Sequence, residues 1–72
     1  MQEEQVYIIE YKFKGEDTPH FKKFYLNVNA YVFLSDLIEK YRDNEEKPLE
    51  YAYWNDELTD EDYRAIPKEW LG

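Results

Sequence analysis

The sequence predicts an α+β domain: a three-stranded antiparallel sheet in the order strand, strand, helix, strand, with one packed helix and a short helical C-terminal tail. Three observations carry this. Apolar residues alternate from Val6 to Lys14, they recur at helical spacing through Leu34, Leu37, Ile38 and Tyr41, and they alternate again after Pro48.

The first strand, Val6 to Lys14, sets Tyr7, Ile9, Tyr11 and Phe13 on one face and Glu10, Lys12 and Lys14 on the other, where Val6 and Ile8 join them. Gly15 to Pro19 reads as a turn, since Gly tolerates positive φ, Asp and Thr bond locally and Pro fixes φ. The second strand is expected from Phe21 to Val28, with Phe24, Leu26 and Val28 on one face, and the short connection makes the pair an antiparallel hairpin. The helix follows, its apolar stripe extended backward by Ala30 and Phe33 and its N-cap either Asn29 or Ser35. Arg42-Asp43-Asn44 ends it. Pro48 opens the third strand, Leu49 to Trp54, with Leu49, Tyr51 and Tyr53 expected on one face and Glu50, Ala52 and Trp54 on the other. In the tail, Thr59 caps a helical turn reaching Ala65, with Asp60, Glu61 and Asp62 near the positive helix end. Pro67 interrupts, and Trp70 and Leu71 are expected to fold back.

A chain of 72 residues makes one domain with a thin core, because only about 60–65 % of its unfolded surface can be buried. Small domains usually recruit disulfides, a metal or a second subunit. Cysteine is absent and His20 is the only histidine, so oligomerisation is the expected support. Strands 1 and 3 carry apolar residues on both faces, which a monomer leaves partly uncovered. A homodimer that continues the sheet or stacks the helices would cover them, with Leu49, Tyr51 and Tyr53 as its contacts. Eight Tyr, four Phe and two Trp add to the expectation of an interface.

The net charge of −8 lies in one stretch. From Asp43 to Asp62 nine acids face one base, Lys47, whereas the rest of the chain holds eight of each sign. Such a block repels nucleic acid and attracts a basic surface, either as a solvated face or as an imitation of a polyphosphate backbone. No apolar run is long enough for a bilayer, and Met1 to Gln5 is acidic where a leader needs basic residues, so the cytoplasm is expected.

Catalysis is not expected. Ser35, the only serine, has no evident base, His20 reads as an exposed turn residue, and two glycines make no phosphate loop. Asp56, Glu57, Asp60, Glu61 and Asp62 match no calcium-loop spacing, so no metal or cofactor is expected.

The stretch Val32-Phe33-Leu34-Ser35-Asp36-Leu37-Ile38-Glu39-Lys40-Tyr41-Arg42-Asp43-Asn44 resembles the helix of the small phage-encoded uracil-DNA glycosylase inhibitors. Leu-Ser-Asp, then Leu37, then Tyr41 four positions on carry the likeness. It covers about residues 6 to 54; the tail from Asn55 has no counterpart. The resemblance implies a homodimer in a host bacterial cytoplasm, whose helices and final strands form a groove for the apolar side chain that the glycosylase inserts into DNA. On that reading Leu37, Ile38 and Tyr41 line an apolar socket and Asp36, Glu39 and Asp43 supply charge beside it, with Tyr41 the main contact. Base-flipping enzymes hold DNA with a basic groove and a wedge, which such an inhibitor would occupy. The same acidity suits an inhibitor of a restriction or CRISPR nuclease, and a hairpin before a helix also opens β-grasp-like adaptors, which would be monomers.

Overall fold

The computed structural model describes residues 5–71; the reading of Met1 to Gln5 as leaderless falls mostly outside them. The elements are β1 (Tyr7–Phe13), β2 (His20–Phe24), α1 (Asn27–Tyr41), β3 (Leu49–Asn55), α2 (Asp60–Arg64) and a 3₁₀ turn (Lys68–Trp70). The sheet runs β2-β1-β3, antiparallel throughout, with α1 on one face. This is the predicted α+β class and element order.

The alternation in β1 builds the core. Ile9, Tyr11 and Phe13 are buried with Ala30 and Leu37 of α1, and Tyr7, Phe24, Phe33, Leu34, Tyr41, Leu49, Ala52 and Trp54 pack around them. Gly15 takes φ of +90°, where a side chain would be strained, and turns the chain from β1 into β2.

The second strand is shorter than expected. Tyr7 pairs with Phe24, so the hairpin runs out of partner there, and Leu26 and Val28 leave the sheet. The backbone turns into α1 instead. Leu26 holds the cap position without any side-chain bond, its carbonyl accepting from Asn29 N–H at 3.1 Å and Ala30 N–H at 3.2 Å. Asn29 and Ser35, the expected caps, lie inside the helix. Burying Ala30 in the core requires helix before it, and that outweighs the missing cap.

Strand β3 departs from simple alternation. A register shift between Lys12 and Phe13 leaves no β1 residue opposite Glu50 and sets Leu49 opposite Phe13. Leu49 therefore joins Ala52 and Trp54 on the helix side, while Tyr51 and Tyr53 face the other way. The three residues expected to share a dimer face do not share one.

The tail covers part of the second sheet face. Ile8 and Phe21 are buried there. Trp70 stacks on Phe21 with centroids 6.5 Å apart, Leu71 forms a parallel bridge with Phe21, and Asp60 reaches Lys23 at 2.6 Å. The apolar second face of β1 is thus buried in part within the chain, where a second copy was expected to cover it. Thr59 caps α2 as predicted, in a capping box with Asp62.

Candidate functional site

Helix α1 presents two flanks, and the predicted site residues divide between them. On the side of β2, a cavity of about 510 Å³ opens between the helix and the hairpin. Tyr11 and Phe13 of β1, His20 of β2 and Phe33, Leu37 and Tyr41 of α1 line it, with Asp36, Lys40, Lys47 and Glu69 charged around them. Leu37 and Tyr41 come together here because residues four apart are neighbours on a helix, and Asp36 and Lys40, a second such pair, lie beside them at the cavity. Tyr41 meets Phe13 edge-on at 4.8 Å. His20 is half-buried, stacked on Tyr11 at 5.1 Å and bonded to Glu16 Oε1 at 2.9 Å, so it is not the exposed turn residue that the sequence suggested. That bond is the main reason the Glu16 carboxyl lies below its ordinary value.

Ile38 is not in this cavity. One residue on from Leu37 it turns about 100° around the helix, to the flank beside β3. It is 40 % exposed. Tyr31, seven residues earlier and on the same flank, lines a second recess of about 290 Å³ with Asn27, Val28 and Trp54. Glu39 points outward in a surface ion pair with Arg42, and Asp43 is exposed beyond the helix end. Asp36, Leu37 and Tyr41 therefore form one group, while Ile38, Glu39 and Asp43 each stand apart from it.

The acidic block is also divided. Asp43, Glu45 and Glu46 lie in the connection before β3, and Asp56, Glu57, Asp60, Glu61 and Asp62 follow its far end. A strand of this length separates the two groups by about 20 Å. Glu50, between them, pairs with Lys12 at 3.0 Å. Asp60 is engaged by Lys23 and by Arg64, and the Lys23 bond is the main cause of its lowered pKa. Asp62 is spent on the α2 cap.

From Phe24 to Ser35 twelve consecutive residues carry no charge, although 36 % of the chain is charged. Tyr25, Leu26, Val28, Tyr31 and Val32 of that run are exposed. An uncharged surface holding aromatic residues is the composition of an interface core.

Sequence reasoning missed the role of Glu10. Its carboxylate accepts from the Tyr51 hydroxyl at 2.8 Å, the Tyr53 hydroxyl at 3.0 Å and Asn55 Nδ2 at 3.0 Å. Burial, then this bonding, raises both phenol pKa values. The available signal was that Glu10 is the lone acid of β1, beside a strand that alternates Tyr51, Tyr53, Asn55. Lys47, the lone base of the acidic stretch, was visible in the sequence, but its place in the cavity was not. No group of three His, Asp or Glu among the described residues is placed to hold a metal, and no helix among them is long and apolar enough to cross a membrane.

No protein-family model matches the chain, and neither does any curated protein or solved structure.

Proposed function

We propose that the chain is a DNA-mimicking protein inhibitor, without catalytic activity of its own, that binds the DNA-binding groove of uracil-DNA glycosylase as a homodimer in a host bacterial cytoplasm. The observation that carries this reading is the layout along β3: acids at both ends, and an uncharged apolar helix flank beside the strand between them. A spacing of about 20 Å corresponds to roughly six base pairs of duplex, a span that a basic groove grips through several phosphates. Carboxylates at the two ends would take the place of phosphates. The apolar flank would receive the side chain that the enzyme pushes into the base stack.

The homodimer rests on the same strand. β3 is an outer strand of the sheet, paired on one side by β1, and an open edge of seven residues invites a second strand. Antiparallel pairing of β3 with its copy would bring the Tyr31 and Ile38 flanks of two helices together. The groove between those helices is then the apolar notch. Tyr51 and Tyr53, turned to the opposite face and bonded to Glu10, would flank the joint from behind.

An inhibition assay on uracil-containing DNA tests the reading. Loss of glycosylase activity in proportion to added protein supports it. Full activity at micromolar protein would overturn it.

A further inference from the structure

The cavity on the β2 flank has no part in that reading, and its lining has a chemistry of its own. Its rings are set at steep angles. Tyr11 and Phe13 cross at 85°, Phe13 and Tyr41 at 72°, and Tyr11 and Phe33 at 56°, with centroids 4.8 to 5.9 Å apart. Rings arranged this way form the walls of a box and turn their electron-rich faces toward different sides of it. Three of the four already carry an ammonium group. Lys47 Nζ stands 4.4 Å from the Phe13 centroid, Lys40 Nζ 5.5 Å from that of Tyr41, and Lys22 Nζ 5.8 Å from that of Phe33. All lie within the roughly 6 Å over which a cation is held by a ring quadrupole. Asp36 and Glu69 lie at the same cavity, with Glu16 behind His20.

We propose that this cavity is an aromatic box for the cationic head of a partner protein's arginine or lysine side chain, and that Lys47 is its internal stand-in. Lys47 makes the closest of the three ring contacts, yet it is exposed and sits in the connection between α1 and β3, outside any helix or strand. Such a residue can leave at little cost. Glu45 and Glu46 beside it in the chain can pair its charge once it has left. A cavity of about 510 Å³ admits a guanidinium or ammonium group with its aliphatic stem. Once Lys47 has left, the charged lining that remains is Asp36, Glu69 and Lys40, a net negative charge that favours a cation. An apolar side chain would gain less here, because it would displace an ammonium from a ring face and bring no charge to Asp36 and Glu69 at the cavity.

The test uses small probes, so its outcome is independent of any glycosylase. Choline and 3,3-dimethylbutan-1-ol have nearly the same shape, and only the first is charged. Each is titrated into the full chain, into Lys47→Ala, and into Arg42→Ala, which removes a positive charge outside the cavity. The aromatic NMR signals of Phe13 and Tyr41 report binding. Choline should shift them saturably in Lys47→Ala, about tenfold more tightly than in the unaltered chain or in Arg42→Ala. N-acetyl-arginine amide should do the same, and the neutral alcohol should not. Equal binding of the alcohol would show an apolar socket and overturn the proposal. So would the absence of any saturable shift in Lys47→Ala, or an equal gain in Arg42→Ala, which would reduce the effect to net charge.

Discussion

The Tyr51 hydroxyl donates to Glu10 Oε2 at 2.8 Å across the β1–β3 ladder, and Tyr53 donates to the other oxygen of the same carboxylate at 3.0 Å. One charged acceptor therefore holds two phenols of the outer strand. Burial and the anion together raise the pKa of Tyr51 far above that of an ordinary phenol, and that of Tyr53 to a smaller extent. A raised phenol pKa means that the fold holds the proton more firmly than the unfolded chain does. The stabilisation is complete below about pH 10 and is lost as pH rises through the folded values.

Glu10→Gln should lower the alkaline titration midpoint of Tyr51, because the anion is gone while burial remains. It should also cost about 1–2 kcal/mol, the difference between bonds to a charged acceptor and bonds to the neutral amide oxygen that replaces it. Phenolate absorbance against pH and urea unfolding measure the two effects. An unchanged midpoint would mean that burial alone sets the phenol.

Gly15→Ala should destabilise the chain by about 1 kcal/mol without altering the fold. The cost is conformational: φ is +90°, and an added Cβ meets no atom within 4 Å. Urea unfolding should show a lower midpoint at unchanged slope. A neutral result would mean that the turn relaxes into another conformation.

These two positions differ in how readable they were. Gly15 was visible because a glycine between two alternating runs has a local meaning. The core faces of β1 and the stripe of Ala30, Leu37 and Tyr41 were visible for the same reason, since period and burial coincide. The end of the second strand was not. Leu26 and Val28 alternate with Phe24 as a strand should, but the place where a strand stops depends on where its partner stops, and Tyr7 lies seventeen residues before Phe24. The bulge that returns Leu49 to the helix side is likewise a property of a pair. For the site, helical spacing correctly grouped Leu37 with Tyr41, but it grouped Ile38 with them as well. A stripe wide enough to hold all three spans both flanks of α1, and only the sheet beneath decides which flank each side chain joins.

The tail is held to the sheet by few groups, and it should detach before the rest unfolds. Neither α2 nor the 3₁₀ turn contains a buried residue. Its tethers include the Lys23–Asp60 pair, the Lys23 ammonium over the Tyr63 ring, the Phe21–Trp70 stack and the Leu71–Phe21 bridge. Asp60 titrates below its ordinary value mainly through the Lys23 bond. What it contributes is therefore present above about pH 4 and lost as pH falls through the folded value. Asp60→Asn should reproduce at neutral pH the loosening that acid produces in the unaltered chain. Hydrogen exchange of the α2 amides should quicken while β1 amides remain protected. Equal loss of protection in both would make the tail part of the main cooperative unit.

Salt should act in opposite directions on the two associations proposed for this chain. Antiparallel pairing of β3 with its copy sets the acids around Asp43 to Glu46 of one protomer beside those around Asp56 to Asp62 of the other. Like charges then oppose the dimer, and raising ionic strength screens them and tightens it. Binding to a basic groove follows the reverse rule and weakens with salt. Ile38→Lys separates the joint from the fold. The side chain is 40 % exposed, so the change should cost the monomer no more than about 0.5 kcal/mol. In the dimer it would set two ammonium groups against an apolar flank near the two-fold axis. Sedimentation at low and high salt should show a dimer that strengthens with salt in the unaltered chain and a monomer at both in Ile38→Lys, with inhibition lost alongside. Should Ile38→Lys associate as the unaltered chain does, the joint lies elsewhere than β3 and the helix flank. Should association weaken with salt, the acids are not brought together by it, and the acid–apolar–acid surface would have to be presented by a single copy.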